Sequence, residues 1–347
     1  MFHKRVVQKQ DGRLLWLYGE REHVLTPLPE GEGAPAAAPH LRWHPLREEW
    51  VIYAAHRQGR TFLPPKDHCP LCPSVPGGFP TEIPFADFEI AVFQNRFPSL
   101  HPDAPTPPEL LIPTARGRGF CEVVVYTPKH EGSLATLTQS RRELLVQVWA
   151  DRYKELYTHD FIRYVMPFEN RGEAVGVTLH HPHGQIYAYP FVPPTIERET
   201  HVFHNRPVLC KLIPQLSDYT VVRGDTMIAF VPPFARFPYE VWIAPRRHLP
   251  GPWEFADAEI REFARVLGEV VSRYDRLFSR PFPYVMAMHA APKGEERVFH
   301  FHVEFYPRMR TRDKLKYLAG TELGASAFAA DILPEAAARR LRGGCAR

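Results

Sequence analysis

The order of apolar and polar positions predicts many short strands and only two long helices. In residues 138–158, apolar side chains recur at helical spacing, at Leu144, Leu145, Val148, Trp149, Tyr153 and Leu156. A second helical run covers about 256–278. Runs rich in β-branched and aromatic residues predict strands at 50–55, 88–94, 121–127 and 174–180, and near 219–223, 226–231, 239–244, 284–289 and 298–306. One long helix per half cannot supply many crossovers, so antiparallel pairing is expected.

The two halves of the chain repeat one another. "EVVVYTPKH" at 122–130 matches "EVWIAPRRH" at 240–248, and "HPHGQIY" at 181–187 matches "HFHVEFY" at 300–306. Two shorter matches, "RYKEL" with "RYDRL" and "YVM" with a second "YVM", keep the same order at offsets of 121 and 120. Four matches in one order indicate an internal duplication. We expect a first half at 1–195 and a diverged second half at 196–347.

Composition narrows the class of protein. The formal net charge is only +4 with no basic block, so no nucleic-acid partner is expected. The start "MFHKRVVQKQ" lacks the apolar run of a secretory signal, and no stretch approaches the length of a membrane span. Five scattered cysteines are too few for a disulfide framework. A cytoplasmic enzyme or binding protein is expected.

The segment "HHPHGQIYAYP", residues 180–190, crowds three histidines beside a glycine and a glutamine. On a strand, His181, His183 and Gln185 project to the same face. The two histidines on that face suit two metal ligands, or one ligand and one nucleophile.

Several properties of this segment suit chemistry at phosphorus. Imidazole can attack phosphorus and can leave again, and the Gln185 amide can donate to a phosphate oxygen without adding charge. Gly184 is expected to let a ligand approach the backbone. The alternative is a strand of histidines with satisfied hydrogen bonds. The adjacent Gly-Gln pair favours phosphate chemistry.

Cys69 and Cys72 form a C-x-x-C flanked by prolines, whose thiolates suit zinc. The alternative is a pair of ordinary or redox cysteines. The sequence by itself leaves two further ligands open.

These motifs together resemble the histidine-triad superfamily and, within it, the galactose-1-phosphate uridylyltransferase family. The resemblance covers roughly residues 41–322 and rests on "CPLC", "VFQNRFPSL", "CEVVVYTPKH", "FENRGEAVGVTLHHPHGQIYA" and "HFHVEFYP", in the family's order. It implies an α+β, histidine-triad-like duplicated fold, in which antiparallel half-barrel sheets are flanked by helices. It also implies a homodimer.

The resemblance implies a ping-pong uridylyl transfer. His183 would take the uridylyl group from UDP-glucose and pass it to galactose-1-phosphate, and Gln185 would stabilise charge on the transferred phosphate. The nitrogen of His183 that does not attack would be held by a backbone carbonyl, such as that of His181. The remaining substrate-binding residues that the resemblance implies are Arg42, Asn95, Asn170, Gly176, Thr178, Lys316 and Glu322.

Two metal sites are implied by the same resemblance. Cys69, Cys72, His130 and His181 would hold a structural zinc. A second metal, iron or another zinc, would take Glu199 and His289 with the second half's H-x-H copy. There the aligned ligands are His302 and Glu304, and whether His300 substitutes for Glu304 stays open.

Two rival functions remain open from the sequence. One is a different nucleotidyl transfer on this scaffold, by an adenylyltransferase or a dinucleotide phosphorylase. The other is a nucleotide-binding protein without turnover.

Overall fold

A computed structural model describes residues 2–59 and 63–343. Residues 344–347, which include Cys345 and end the second predicted domain, lie outside the described residues. The α-helices are α1 (Gln139–Tyr157), α2 (Pro194–Asn205), α3 (Val208–Leu212), α4 (Asp257–Leu277), α5 (Gly320–Ala325) and α6 (Pro334–Leu341). The strands in the first half are β1 (His3–Gln8), β2 (Leu14–Gly19), β3 (His40–His44), β4 (Glu49–Tyr53), β5 (Ile90–Gln94), β6 (Thr114–Arg116), β7 (Phe120–Val125), β8 (Tyr164–Arg171) and β9 (His183–Tyr189). Those in the second half are β10 (Thr220–Arg223), β11 (Met227–Phe230), β12 (Val241–Pro245), β13 (Tyr284–His289) and β14 (His302–Pro307).

One large antiparallel sheet runs through both halves. Within the described residues it has eleven strands in the order β1-β2-β5-β7-β9-β8-β13-β14-β12-β11-β10. The halves meet where β8 pairs with β13, with Asn170 opposite Val285. Outward from this seam, β9, β7 and β5 on one side correspond to β14, β12 and β11 on the other. The sheet is open, since β1 and β10 form its edges, and the α+β fold class with antiparallel sheets is confirmed.

The two long helices cover one face of this sheet. α1 packs against α4, and side chains such as Trp149 and Phe263 join Ile186 of β9 and Val303 of β14 in one core. Because strand side chains alternate, His183 and Gln185 point to the opposite face. A second sheet, β4-β3-β6, packs on that face.

Both predicted long helices are confirmed within one residue at each end. α1 begins where the Thr138 side chain accepts a hydrogen bond from the Arg141 backbone N–H, which is an N-cap.

The predicted strand at 174–180 is wrong. Residues 173–175 form a short 3₁₀ turn between Gly172 and Gly176, which have φ of 89° and 78°. These left-handed conformations break an extended run. The strand with the H-x-H pattern begins at His183 itself, so His181 precedes it.

Gly184 has a different role from the one expected. A Cβ atom built there would overlap the Tyr126 hydroxyl and crowd the Phe168 carbonyl. Its missing side chain therefore faces the helix-covered core, and the glycine lets β9 pack closely against Tyr126. The expectation that Gly184 opens the backbone to a ligand is wrong.

Gly184→Ala should lower the free energy of unfolding by about 1–3 kcal/mol, because the added methyl overpacks this contact. Denaturant unfolding would measure it. Gly320→Ala is the matched control, since its Cβ would meet nothing within 4 Å. An alanine at 184 that leaves stability unchanged would contradict the packing role.

Candidate active site

One cavity of about 230 Å³ brings together six of the predicted site residues. His183 and Gln185 come from β9, Asn170 comes from β8, and Asn95 directly follows β5. Gly176 and Thr178, from the loop before β9, complete the group. The antiparallel ladder fixes the spacing, because Phe168 of β8 and Val123 of β7 lie opposite Gln185 on either side.

His183 is held in one tautomer. Its Nδ1–H donates to the His181 carbonyl at 2.7 Å, as the family resemblance implies. A carbonyl can only accept, so Nε2 carries the lone pair. Burial lowers the pKa of His183, which favours the neutral imidazole. The ring is therefore prepared to act as a nucleophile through Nε2.

Three amide side chains that line the same cavity have free donors. Among the described residues, the Gln185 and Asn170 side chains make no hydrogen bond, and the Asn95 side chain only accepts one, from the Phe97 N–H at 2.8 Å. Each amide retains N–H groups for a ligand. These donors suit an anionic group next to His183 without adding charge.

Two arginines in the cavity were not singled out from the sequence. Arg57 lies in the 3₁₀ turn after β4 and donates to the Phe97 carbonyl at 2.5 Å. Arg96 follows Asn95 and pairs with Glu32 at 2.7 Å. Both line the cavity and supply positive charge for a phosphate. Arg96 belongs to the segment "VFQNRFPSL" that carries the resemblance. No motif in the sequence around Arg57 indicates a functional site.

Three predicted substrate-binding residues lie outside this cavity. Arg42 of β3 donates to His40 Nε2 at 2.9 Å and stacks over the Tyr53 ring. Lys316 and Glu322 form a buried ion pair at 2.7 Å in the second half. The single chain does not bring these residues to His183, and their roles stay predictions.

The first predicted metal cluster is assembled. One ligand atom from each of Cys69, Cys72, His130 and His181 lies within 4.8 Å of the others. Cys72 Sγ is 3.4 Å from His130 Nδ1 and 3.5 Å from His181 Nδ1. Tetrahedral bonds of about 2.0–2.3 Å separate their ligands by roughly 3.5 Å, so the set fits a zinc-sized ion.

The surroundings of this cluster support metal binding. His181 Nε2–H donates to the Thr127 carbonyl at 2.7 Å, which turns Nδ1 toward the thiols. Burial lowers the pKa of His181 to about 4 and so keeps it neutral. Burial and the neighbouring Cys69 raise the pKa of Cys72 to about 12, and a bound cation would reverse this by stabilising the thiolate.

The second predicted cluster, Glu199, His289, His302 and Glu304, also meets within 4.8 Å. His289 Nδ1 lies 3.0 Å from the Glu199 carboxylate. His302 Nε2 is buried, lies 3.3 Å from Glu304 and has no hydrogen-bond partner of good geometry among the described residues. This orphaned nitrogen beside two carboxylates fits a metal site.

His300 does not substitute for Glu304. Its Nε2–H donates to the Pro245 carbonyl at 3.0 Å, and its Nδ1 faces Cys210 Sγ at 3.4 Å. Glu304 therefore lies in the cluster and His300 lies outside it, which favours Glu304 as the fourth ligand.

Among residues 2–59 and 63–343, no helix is both long and apolar enough to span a membrane.

Known proteins match the chain over most of its length. The sequence profiles described as "Galactose-1-phosphate uridyl transferase" match over two ranges, the N-terminal domain at residues 31–193 and the C-terminal domain at 196–346. The galactose-1-phosphate uridylyltransferase of Thermotoga maritima is 43% identical over 87% of this chain and 97% of that protein. The protein of that name from Streptomyces lividans is 34% identical over 82% of this chain and 81% of that protein.

A solved structure shares the architecture. The "Structure of uridylyltransferase" superimposes with a TM-score of 0.78 at 29% identity, covering 88% of this chain and 97% of that one. The profiles, the relatives and the shared fold agree with the assembled cavity. The chain is a nucleotidyltransferase and belongs to the galactose-1-phosphate uridylyltransferase family.

Proposed function

We propose that the protein transfers a uridylyl group from UDP-glucose to galactose-1-phosphate in two steps through His183. The observation that carries the proposal is the His183–His181 hydrogen bond, which leaves the lone pair on Nε2 in a cavity with free amide donors. Galactose-1-phosphate and the uridylyl group are named in the enzyme activity of the relatives, and the family resemblance implies UDP-glucose as the donor.

Each step exchanges one bond at the α-phosphorus. In the first, His183 Nε2 forms a bond to phosphorus, and the bond to the bridging oxygen breaks and releases glucose-1-phosphate. In the second, a phosphate oxygen of galactose-1-phosphate attacks phosphorus, and the N–P bond breaks and releases UDP-galactose. Gln185, Asn170 and Arg57 would stabilise the charge on the phosphoryl oxygens in both steps.

Zinc at Cys69, Cys72, His130 and His181 is proposed to be structural. A closed four-ligand set leaves no open position for a substrate. When bound, the ion would brace His181, whose carbonyl holds His183. For the second cluster we propose iron or zinc, again as a brace, because its residues do not line the His183 cavity.

The homodimer and the cytoplasmic location stay part of this proposal. Lys316 and Glu322 lie outside their own chain's cavity, which is consistent with a role in a partner's site.

The covalent uridylyl-His183 intermediate is tested by isotope exchange between glucose-1-phosphate and UDP-glucose in the absence of galactose-1-phosphate. With UDP-glucose and labelled glucose-1-phosphate alone, the label should enter UDP-glucose, because the first step is reversible. The acid limb of the exchange kcat/KM should lie below the ordinary imidazole pKa of about 6.5, since the lowered pKa of His183 keeps Nε2 free at lower pH. Radiochemical exchange against pH would measure both.

His183→Gly is the control for this exchange. It should lower the exchange rate by more than about 10⁴-fold. Uridine 5′-phosphoimidazolide, whose imidazole fits the space left by the missing ring, should partly restore transfer to galactose-1-phosphate. Exchange that persists in His183→Gly, or that requires galactose-1-phosphate, would contradict the double displacement.

Cys69→Ser should lose the zinc equivalent of the first cluster and lower the melting temperature, because a buried ligand is removed. Metal analysis and thermal unfolding would measure this. Cys121→Ser is the matched control, a buried free cysteine away from both clusters. Unchanged zinc content in Cys69→Ser would refute the ligand assignment.

A further inference from the structure

The N-terminal hairpin of β1 and β2 lies outside the residues that the family profiles match. It is nevertheless part of the large sheet, because β2 pairs with β5, with Leu15 opposite Phe93. Leu15 and Leu17 are buried in a core shared with Phe93 and Val123. The hairpin therefore forms one wall next to the strands that carry the cavity.

Two basic residues at the turn of this hairpin, Lys9 and Arg13, bind the carboxylate of Glu82. Lys9 Nζ lies 2.5 Å from Glu82 Oε2, and an Arg13 guanidinium nitrogen lies 2.8 Å from the same oxygen. The side chains of Lys9 and Arg13 are 3% and 9% exposed, so these are largely desolvated ion pairs. Lys9 also donates to the Glu82 carbonyl at 3.0 Å. The other carboxylate oxygen, Oε1, makes no hydrogen bond with any described residue.

Glu82 lines the same cavity as His183, and it lies on the Phe93 side, because its partner Lys9 is 5.8 Å from the centre of the Phe93 ring. Phe93 of β5, Val123 of β7 and Gln185 of β9 lie side by side in register. Adjacent strands are about 4.8 Å apart, which places Phe93 roughly 10 Å from the strand of His183. Leu71, Phe93 and Val123 make this end apolar. If the phosphate of a nucleotide lies at His183, its base would contact these apolar side chains and lie beside Glu82.

We propose that Glu82, fixed by Lys9 and Arg13, accepts a hydrogen bond from the ring N–H of the base and so selects uracil over cytosine. This rests on the proposed function, since it takes the phosphate to lie at His183. Uracil carries a hydrogen on N3, which a carboxylate can accept. Cytosine presents a lone pair there, which the carboxylate repels. A site built to pair with one N–H discriminates strongly against a base without it.

The test is equilibrium binding of UMP and CMP by calorimetry. The unmodified protein should bind UMP roughly tenfold or more tightly than CMP, as expected for one charge-assisted hydrogen bond. In Glu82→Gln this ratio should fall severalfold, because a neutral amide can donate to cytosine N3 as well as accept from uracil. Glu20→Gln, an exposed carboxylate at the far end of the hairpin, is the matched control and should keep the ratio.

A measurement on the unmodified protein covers the case in which Glu82→Gln fails to fold. In 3-methyl-UMP a methyl group replaces the ring hydrogen, so it should bind roughly tenfold or more weakly than UMP. Equal binding of UMP and 3-methyl-UMP would contradict the proposed hydrogen bond between Glu82 and the base. An unchanged UMP:CMP ratio in a folded Glu82→Gln would contradict it too, and neither result would affect the proposed function. UMP that does not bind, or that UDP-glucose does not displace, would overturn the proposed function as well.

Discussion

The site depends on one constraint, the antiparallel register of β9 between β7 and β8. That register puts Val123 and Phe168 on either side of Gln185, and strand alternation then directs His183 and Gln185 to one face. The other face of β9 carries Gly184 and Ile186 into the core beneath the helices. A shift by one residue would exchange these faces and turn His183 into the core. Gly184 is compatible with this register, whereas any larger residue at this position would clash with Tyr126.

The two halves place the H-x-H pattern on corresponding strands but in different surroundings. In both halves the first histidine of H-x-H donates to a backbone carbonyl, that of Thr127 or Pro245, and the second donates to the carbonyl of the first. Where the first half has Gln185 at a cavity, the second half has the buried carboxylate of Glu304. Burial alone would raise the pKa of Glu304, but the neighbouring His289 and His302 hold it below its ordinary value. The H-x-H position therefore lies in a polar cluster that fits a metal in the second half, and in the first half it is a neutral imidazole at a cavity.

Much of this could be predicted from the sequence where the determinants are local. α1 and α4 follow from a sustained helical period, and the open antiparallel sheet follows from the strand-rich repeat. The segment 174–180 was mistaken for a strand because its β-branched residues gave a propensity that Gly172 and Gly176 override with left-handed backbone. The two candidate metal clusters and the residues around His183 could be predicted because their motifs resemble those of a known family.

Other parts of the site depend on contacts between distant segments and were missed for that reason. Arg57 reaches the cavity from the turn after β4, and Glu82 is held there by Lys9 and Arg13, which lie about 70 residues away in the chain. The repeat also conceals a difference: Glu122 binds the buried Arg152, whereas its counterpart Glu240 accepts from the Trp242 side chain and nearby backbone N–H groups. The chemistry of a buried carboxylate is set by partners that a local sequence match does not specify.

The most direct measurement of the central claim is the intact-protein mass after mixing with UDP-glucose alone. The account predicts a gain of one uridylyl group that is absent from His183→Gly and disappears when galactose-1-phosphate is added. An unchanged mass under conditions of full turnover, or an adduct that His183→Gly retains, would contradict it.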